Sequence, residues 1–207
     1  DAFVVGSDQV WNDKFGKASI LLYTLNGIKD QASLNISYAA SSGRANVDKT
    51  LFTNPGFKKF HAISVRDRFT QELVRECSER TSQIVLDPTL LIDWENTTIR
   101  HQKMQVFKDY IFVYGFSKEN IKLAISIKKK LGHQLVGIPM EGEAFHPEID
   151  ICILDAGIGE WLHLIKHAKF VCTKSFHGMM LSIKYKIPFL VATGPSVSSE
   201  RLVDFAE

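Results

Sequence analysis

Cysteine is scarce in this chain, and so are the features that mark secreted or membrane-spanning proteins. The 207 residues include only three cysteines, Cys77, Cys152 and Cys172, and no two of them form a C-x-x-C pair. This spacing argues against a disulfide scaffold or a zinc knot, and it predicts free thiols in the reducing cytoplasm. No apolar run approaches the ~18 residues needed to cross a bilayer, and no signal peptide is visible, so we expect no membrane span.

An excess of charge of one sign is also missing, since the formal net charge is only +2. A chain so close to neutral gives no reason to expect nucleic acid as a partner. His163 and His167 have the spacing of a zinc pair, but the segment lacks the glutamate of a metalloprotease, so we expect a structural or surface role and no metal. Without a P-loop or a G-x-S-x-G motif, kinase and hydrolase functions lack support, and no cofactor is expected.

What the chain does contain is a regular alternation of strand-like and helix-like segments. It is 45% hydrophobic and 23% charged, as an ordinary globular protein is, and the alternation predicts an α/β fold with mainly parallel sheets. The predicted strands are Ala2–Val5, Ile36–Ala40, Ala62–Val65, Ile84–Leu86, Tyr110–Tyr114, Gln134–Ile138, Ile151–Ile153, Phe170–Cys172 and Phe189–Val191. The predicted helices are Arg68–Cys77, Lys118–Leu131, Gly159–Ala168 and Met179–Lys186.

A polar break divides this pattern into two parts. Between Asp93 and Lys108 the apolar periodicity lapses, and it resumes at Tyr110. We therefore predict two α/β halves, residues 1–98 and 99–207, joined by this segment. The chain opens directly on a strand pattern and closes on an amphipathic helix pattern without a stop signal, so we expect it to be a fragment that lacks both ends of a longer protein.

The segment Thr173–Gly178 carries the strongest functional signal. It lies where a buried strand should turn into a helix, which places His177 at the helix N-terminus. Free N–H groups and the helix dipole make such a corner an anion site, and histidine donates protons near neutral pH. Ser175 would add a hydroxyl donor, Lys174 is a nearby cation, and Gly178 would let the backbone approach a ligand. The alternative is a structural histidine that caps the helix or lies in the core.

A second group of polar residues follows the first strand. Gly6 permits a tight turn, and Ser7, Asp8 and Gln9 are short polar groups suited to bind hydroxyls or phosphate oxygens. A helix start capped by Ser7 or Asp8 explains the same residues equally well.

Arg66 ends the third predicted strand, at the same expected edge of the sheet. An arginine in that position can bind a carboxylate or phosphate through two prongs. An ion pair with Asp67 or Glu72 on the next helix is an equally good explanation.

Taken in order, five segments resemble the polysaccharide pyruvyl transferase family. Each is weak alone, but together they cover nearly the whole chain and make the resemblance specific. The segments are Gly6–Asn12, Ile36–Gly43, Ser64–Asp67, Leu86–Leu91 and Thr173–Gly178, and Ile187–Phe189 and Ser198–Arg201 fit as well.

The resemblance implies a two-domain glycosyltransferase (GT-B) architecture, with the site in the cleft between two Rossmann-like halves. It also implies a reaction in which an enolpyruvyl group moves from phosphoenolpyruvate onto two sugar hydroxyls, forming a cyclic pyruvate ketal during polysaccharide or exopolysaccharide synthesis. His177 is then the general acid, and Arg66 holds the donor anion. Some members carry an arginine two residues before the histidine, where this chain has Ser175.

Two other functions stay open at this point. One is a glycosyltransferase of the same architecture that uses a nucleotide sugar, and the other is a fragment that binds without catalysing. For the transferase, the expected partners are phosphoenolpyruvate and a sugar or lipid-linked oligosaccharide acceptor, with peripheral membrane association left open.

Overall fold

Two wholly parallel sheets form the framework of the residues that the computed structural model describes, namely 2–16, 21–26, 33–43, 47–94 and 107–193. The first sheet has the order β1-β2-β3-β4 and the second the order β7-β6-β5-β8-β9. The predicted α/β fold with mainly parallel sheets is confirmed. The strands are β1 (Ala2–Val5), β2 (Leu34–Ala40), β3 (Ala62–Val65), β4 (Gln83–Ile84), β5 (Tyr110–Tyr114), β6 (Gln134–Ile138), β7 (Ile151–Cys152), β8 (Phe170–Thr173) and β9 (Phe189–Val191).

Helices connect these strands, as parallel pairing requires. They are α1 (Arg68–Ser78), α2 (Pro88–Leu91), α3 (Lys118–Leu131), α4 (Ile158–His167) and α5 (Phe176–Lys184), with 3₁₀ turns at Asp13–Phe15, Lys49–Leu51 and Pro55–Lys59. The prediction missed α2 and the 3₁₀ turns, and it started α5 three residues late. That helix begins at Phe176 because the Ser175 side chain caps it, and an N-cap signal lies outside the apolar pattern.

The chain forms two compact units. Within the described residues, unit 1 runs to Leu91 and contains the first sheet, and unit 2 begins at Ile92 and contains the second. The predicted boundary between residues 98 and 99 lies outside the described residues and stays a prediction.

An aromatic cluster forms the core of unit 1. The buried ring of Trp11 packs against Phe52, Phe57 and Phe60, with centroid distances of 5.0 to 6.1 Å. The indole N–H of Trp11 donates to the carbonyl oxygen of Tyr23 at 3.0 Å, so the one polar atom of this ring has a partner. Because Trp11 closely follows β1, this packing anchors the loop after that strand to the core.

The central strand of unit 2, β5, is buried on both faces. Tyr110 and Phe112 pack in the cluster that includes α4, while Ile111 and Val113 pack in the cluster that includes α3. This arrangement explains why β5 is a continuous apolar run and not an alternating one. Helices on both faces of a parallel sheet define a doubly wound unit.

The strand order of unit 2 reverses beside β5. The chain runs from β5 outward to β6 and β7 and then returns to place β8 on the other side of β5. Such a reversal opens a crevice between the carboxyl ends of the two diverging strands, and ligands of open α/β sheets bind there. The switch point of unit 2 therefore lies between the ends of β5 and β8.

Asn120 ties these two strand ends together. Its side chain is fully buried, and its Nδ2 donates to the carbonyl oxygens of Tyr114 (3.2 Å), Gly115 (2.7 Å) and Cys172 (3.2 Å). Tyr114 is the last residue of β5, Gly115 directly follows it, and Cys172 belongs to β8. One neutral amide thus fixes the distance between the carboxyl ends of β5 and β8, which border the crevice.

We expect Asn120→Asp to destabilise the protein strongly. The substitution keeps the size of the side chain but points carboxylate oxygens at three carbonyl oxygens, none of which can donate a hydrogen bond. The free energy of unfolding, measured by guanidinium denaturation at neutral pH, should fall by about 3 kcal/mol or more.

The matched control is Ser117→Ala, which removes the N-cap of the same helix and should cost about 1 kcal/mol. An aspartate variant no less stable than this control would show that Asn120 does not hold the two strand ends.

Candidate functional site

The corner after β8 has the predicted form of a strand that turns into a helix. The Ser175 hydroxyl oxygen accepts from the Gly178 N–H at 3.3 Å and so caps α5. His177 is the second residue of that helix and is half-buried, and its ring contacts Phe176 edge-on with centroids 5.6 Å apart. Ser175 and not His177 is therefore the N-cap of α5. His177 stands in the first turn, at the positive end of the helix dipole.

Close packing explains why residue 178 is a glycine, which the sequence alone did not reveal. A Cβ at this position would lie 2.5 Å from Oγ1 of Thr173, the last residue of β8. The same Oγ1 accepts from the Ser175 N–H at 3.0 Å. The glycine therefore lets α5 pack closely against the strand end, and the prediction that it admits a ligand has a competing explanation in this contact.

Lys174 is ion-paired in this structure. Its Nζ donates to Oε1 of Glu143 at 2.6 Å, and its side chain lies across Gly115 to reach that carboxylate. Glu143 Oε2 in turn accepts from the backbone N–H groups of Phe116 (2.6 Å) and Met140 (2.8 Å). This carboxylate thus connects the loops after β5, β6 and β8. Sequence analysis missed Glu143, because nothing in its own segment marks it as different from other loop glutamates.

The pKa of Glu143 reports these contacts. Burial raises it, but the hydrogen bonds from Lys174 and the two backbone amides, together with the Lys174 charge, outweigh burial and leave the pKa below its ordinary value. The carboxylate is therefore charged at neutral pH and balances Lys174. An anion that binds at the α5 N-terminus meets a lysine that already has a partner.

A second charged cluster lies at the carboxyl edge of the unit 1 sheet. Arg66 follows β3, and its Nη1 donates to Asp87 Oδ2 at 2.7 Å while its Nη2 donates to Asp8 Oδ1 at 2.9 Å. Asp8 follows β1 and Asp87 follows β4, so these three residues, the Arg66 cluster, join the loops after three strands. The sequence alternative of an ion pair with Asp67 or Glu72 on the next helix did not foresee these two partners.

Asp87 is the buried anchor of the Arg66 cluster. Its Oδ1 accepts from the N–H (3.0 Å) and the hydroxyl (2.7 Å) of Thr89. These two bonds fix the first turn of α2 to Asp87. Burial raises the pKa of Asp87, but the hydrogen bonds from Arg66 and Thr89 and the Arg66 charge lower it to a net value below the ordinary range. The ionised form is therefore the one that the fold stabilises.

The loop after β1 holds the other predicted binding residues. Ser7, Asp8 and Gln9 are all partly accessible, and the Gln9 amide oxygen accepts from Asn12 Nδ2 at 2.6 Å. Asn12 caps the 3₁₀ turn that follows, so the alternative that Ser7 or Asp8 caps a helix start is wrong. A Cβ on Gly6 would collide with the Tyr38 carbonyl oxygen, which explains the glycine by close backbone approach.

The loop after β2 is tied to α1 by a buried polar network. Ser41 Oγ donates to Asp67 Oδ2 at 2.6 Å, and Asp67 Oδ1 accepts from the Thr70 N–H at 2.9 Å as the cap of α1. Burial raises the pKa of Asp67. The hydrogen bonds from Ser41 and Thr70 and the Arg66 charge lower it, but burial prevails and the net pKa is above its ordinary value. This network is fully enclosed, so it supports the Arg66 cluster without offering a binding group of its own.

Sequence reasoning thus placed its candidates at strand ends, and the structure brings them together in two sets. Within unit 1, Asp8 meets Arg66 directly, with Ser7 and Gln9 flanking Asp8 in the chain. Within unit 2, Lys174, Ser175, His177 and Gly178 lie together at the switch point. Sequence analysis missed Asp87 as the partner of Arg66, although a signal was present: Asp87 directly follows the predicted strand Ile84–Leu86, as Arg66 follows Ala62–Val65.

A family model for polysaccharide pyruvyl transferase matches residues 1–193. The chain belongs to the polysaccharide pyruvyl transferase family. The match extends over both units and includes the segments that carry Asp8, Arg66, Asp87 and His177. Membership confirms the resemblance seen in the sequence and places the chain in a family of transferases.

Solved structures share the fold. The UDP-GlcNAc 2-epimerase of Methanocaldococcus jannaschii, in complex with UDP-GlcNAc and UDP, is 15% identical with a TM-score of 0.57, and another structure of that enzyme is 13% identical with a TM-score of 0.51. Each comparison covers 98% of this chain but only 62% and 63% of the epimerase chain. This likeness confirms the predicted GT-B-like α/β fold. A search of curated proteins gave no significant match.

Three further findings concern the described part of the chain. None of its helices is both long and apolar enough to span a bilayer. The three cysteines are free thiols, and burial raises the pKa of the Cys172 thiol to about 12.

His163 and His167 contact each other on α4, with ring centroids 4.1 Å apart, and no group of three or more metal-ligating side chains forms within the described residues.

We expect Asp87→Asn to weaken the acid dependence of stability. Because the pKa of Asp87 is lowered in the folded state, its stabilising contribution is present above the ordinary carboxyl pKa and is lost as the pH falls through the lowered value. The variant should lose about 3 kcal/mol at pH 7, and less at pH 3, where the wild type has already lost part of this contribution.

Urea denaturation at a series of pH values measures this difference. The control is Glu76→Gln, which breaks the exposed ion pair with Lys49 and should cost less than about 1 kcal/mol. Parallel pH curves for wild type and Asp87→Asn would mean that the Arg66 contact does not set the ionisation of Asp87.

Proposed function

We propose that the protein transfers an enolpyruvyl group from phosphoenolpyruvate to two hydroxyls of a sugar, forming a cyclic pyruvate ketal during exopolysaccharide synthesis. The observation that carries the proposal is the position of His177. It stands partly accessible in the first turn of α5, at the switch point of a doubly wound unit, inside a segment that the family model matches. A proton donor beside an anion-binding helix end is what this donor requires.

The protonation step assigns His177 its role. His177 gives a proton to the methylene carbon of phosphoenolpyruvate, which leaves C2 with oxocarbenium character. A sugar hydroxyl then attacks C2, and a second hydroxyl displaces the phosphate, which leaves with the electron pair of its C–O bond. Of the two hydroxyl protons, one is balanced by the proton added to the methyl group and the other leaves with the phosphate.

Phosphoenolpyruvate, the donor, is bound by groups that stabilise negative charge. The α5 N-terminus supplies the helix dipole and the Ser175 hydroxyl, and Lys174 supplies a cation. Gly178 allows the close packing of this corner. The family resemblance assigns the donor anion to Arg66 as well, with Ser7 and Gln9 as hydrogen-bonding groups, and these roles stay predictions.

The acceptor is a sugar or a lipid-linked oligosaccharide, as expected for a family that modifies polysaccharides. Free cysteines support a reducing location and hence the cytoplasm. Peripheral attachment to a membrane is compatible with a lipid-linked acceptor.

Phosphate release tests this function. The protein is incubated with phosphoenolpyruvate and a panel of p-nitrophenyl hexosides and N-acetylhexosaminides, and free phosphate is followed while mass spectrometry detects the pyruvylated acceptor. Acceptor-dependent phosphate release with a ketal product supports the proposal. No release with any acceptor, at protein concentrations that bind phosphoenolpyruvate, counts against it.

We expect His177→Asn to lose turnover while keeping the fold and donor binding. Ser175 and not His177 caps α5, so the asparagine removes the proton donor without removing the cap. General-acid catalysis typically contributes ~10²–10⁴-fold, and the loss should appear in kcat more than in donor affinity. Wild-type activity should fall on the alkaline side as the acid deprotonates, and the residual activity of the variant should lack that limb.

The matched control is His133→Asn, a half-buried histidine of the same unit that directly precedes β6 at the opposite edge of the sheet. It should leave turnover unchanged. Normal turnover in His177→Asn would remove the histidine from the mechanism.

A nucleotide-sugar glycosyltransferase is the second candidate, and the structural likeness to an epimerase solved with UDP-GlcNAc and UDP favours it. Titration with UDP in a calorimeter separates the two functions. Binding of UDP together with failure to release phosphate from phosphoenolpyruvate would favour the glycosyltransferase.

A further inference from the structure

The ion pair between Lys174 and Glu143 exposes its cation more than its anion. The Lys174 side chain is 32% exposed, whereas that of Glu143 is 16% exposed. Both oxygens of Glu143 accept hydrogen bonds, Oε1 from Lys174 Nζ and Oε2 from the backbone N–H groups of Phe116 and Met140. A ligand that approaches this pair therefore meets mainly the ammonium group, and the carboxylate serves as its support.

Lys174 is held along its whole length. Its backbone N–H donates to the carbonyl oxygen of Tyr114, the last residue of β5, at 3.4 Å. Its stem packs against Gly115, where a Cβ would lie 2.9 Å from Cε of the lysine and 3.0 Å from Cγ. Its ammonium group is fixed by Glu143. The side chain that follows β8 thus lies across the loop after β5, and these are the two strands whose ends form the switch point of unit 2.

An ammonium group held in this way can still bind an anion. It has three N–H donors, and the bond to Glu143 uses one of them. A compact, point-like cation is suited to a phosphate group, which offers several acceptor oxygens. Ordering a free lysine when a ligand binds weakens the affinity, and a lysine that is already ordered avoids this loss.

We propose that Lys174 binds the phosphate group of the donor, and that Glu143 is the positioning residue that holds the ammonium group in place for it. The inference rests on the proposed pyruvyl transfer for the identity of the ligand. In that reaction the phosphate leaves with the electron pair of its C–O bond, and Lys174 balances the negative charge that the leaving group gains. Both residues and the α5 N-terminus belong to unit 2, so this part of the site is contained in one unit.

Two substitutions of Glu143 separate positioning from simple charge. Glutamine has one acceptor oxygen and one NH₂ group, so it cannot accept from both Lys174 and the backbone amides. Aspartate keeps the charge but is one methylene shorter, so its carboxylate cannot reach both sets of donors. We expect either variant to raise the Kd for inorganic phosphate about three- to tenfold, because Lys174 must then be ordered when the anion binds.

Calorimetric titration with inorganic phosphate and, separately, with pyruvate measures this effect. The two probes correspond to the two parts of the donor, and only phosphate should bind more weakly to the variants. A carboxylate that acts only through its charge predicts another pattern, in which Glu143→Gln tightens phosphate binding and Glu143→Asp leaves it unchanged. That pattern would overturn the positioning role, and weaker binding of pyruvate alone would overturn the assignment of Lys174 to the phosphate.

Asp150→Asn is the matched control. Asp150 also joins a lysine to the backbone of unit 2, since it accepts from Lys128 Nζ at 2.7 Å and from the Leu135 N–H at 2.7 Å. It directly precedes β7, at the opposite edge of the same sheet. The control should lose a similar ion pair but leave the affinity for phosphate unchanged.

A double-mutant cycle tests whether Glu143 acts through Lys174. Lys174→Met removes the ammonium group and keeps most of the stem, so it should weaken phosphate binding. Glu143→Gln should then cause little further loss of affinity in the Lys174→Met background. A further loss of equal size would mean that Glu143 supports the loop and does not position the lysine. In turnover assays, the Glu143 variants should raise the KM for phosphoenolpyruvate more than they lower kcat.

Binding of phosphate and its release from the donor are measured separately, so the inference and the proposed function can fail independently. A wild-type protein that does not bind inorganic phosphate overturns the inference, whatever its activity. If the variants lose phosphate affinity as expected but the wild type releases no phosphate from phosphoenolpyruvate with any acceptor, the proposed function fails. The positioning of Lys174 by Glu143 at an anion site would then still stand.

Discussion

A single buried guanidinium holds the carboxyl edge of the first sheet together. Arg66 lies almost out of solvent, and its charge is tolerable only because Asp87 and Asp8 compensate it through hydrogen bonds below 3 Å. Since the three residues follow three different strands, satisfying one charge fixes three loops at once. The arrangement of Ser7 and Gln9, which lie beside Asp8 in the chain, depends on this constraint.

The second unit holds its strand ends and loops with one neutral amide and one ion pair. Asn120 spaces the ends of β5 and β8 through three carbonyl oxygens, and Glu143 gathers two backbone amides and Lys174 above them. The corner that carries His177 is thus rigid on its lower side, because Thr173 and Gly178 pack in close contact. The N–H groups at the start of α5 are therefore already ordered, so an anion that binds there causes little further loss of conformational entropy.

Sequence patterns predicted the strands well because a buried parallel strand needs a continuous apolar run, which is a local property. The buried strands Tyr110–Tyr114 and Gln134–Ile138 were found with their observed bounds. The same sequence patterns also placed the candidate binding residues at the ends of strands. They did not identify Asp87 as the partner of Arg66 or Glu143 as that of Lys174, because these pairs join residues 21 and 31 positions apart. Such pairings depend on the order of strands, which no short pattern encodes.

The strand order of the second unit also dictates when its parts can assemble. On a ribosome β5 emerges long before β8, whose first residue pairs with Ile111 of β5. The pair β5–β6 can form early, but the side of β5 that faces β8 stays open until Phe170 and the residues beyond it are made. The corner with His177 therefore forms only after the β5–β6 pair, and β9 is added to β8 later still. Until that moment an apolar strand edge is available to other chains, which makes late synthesis the stage at which this unit is most prone to aggregate.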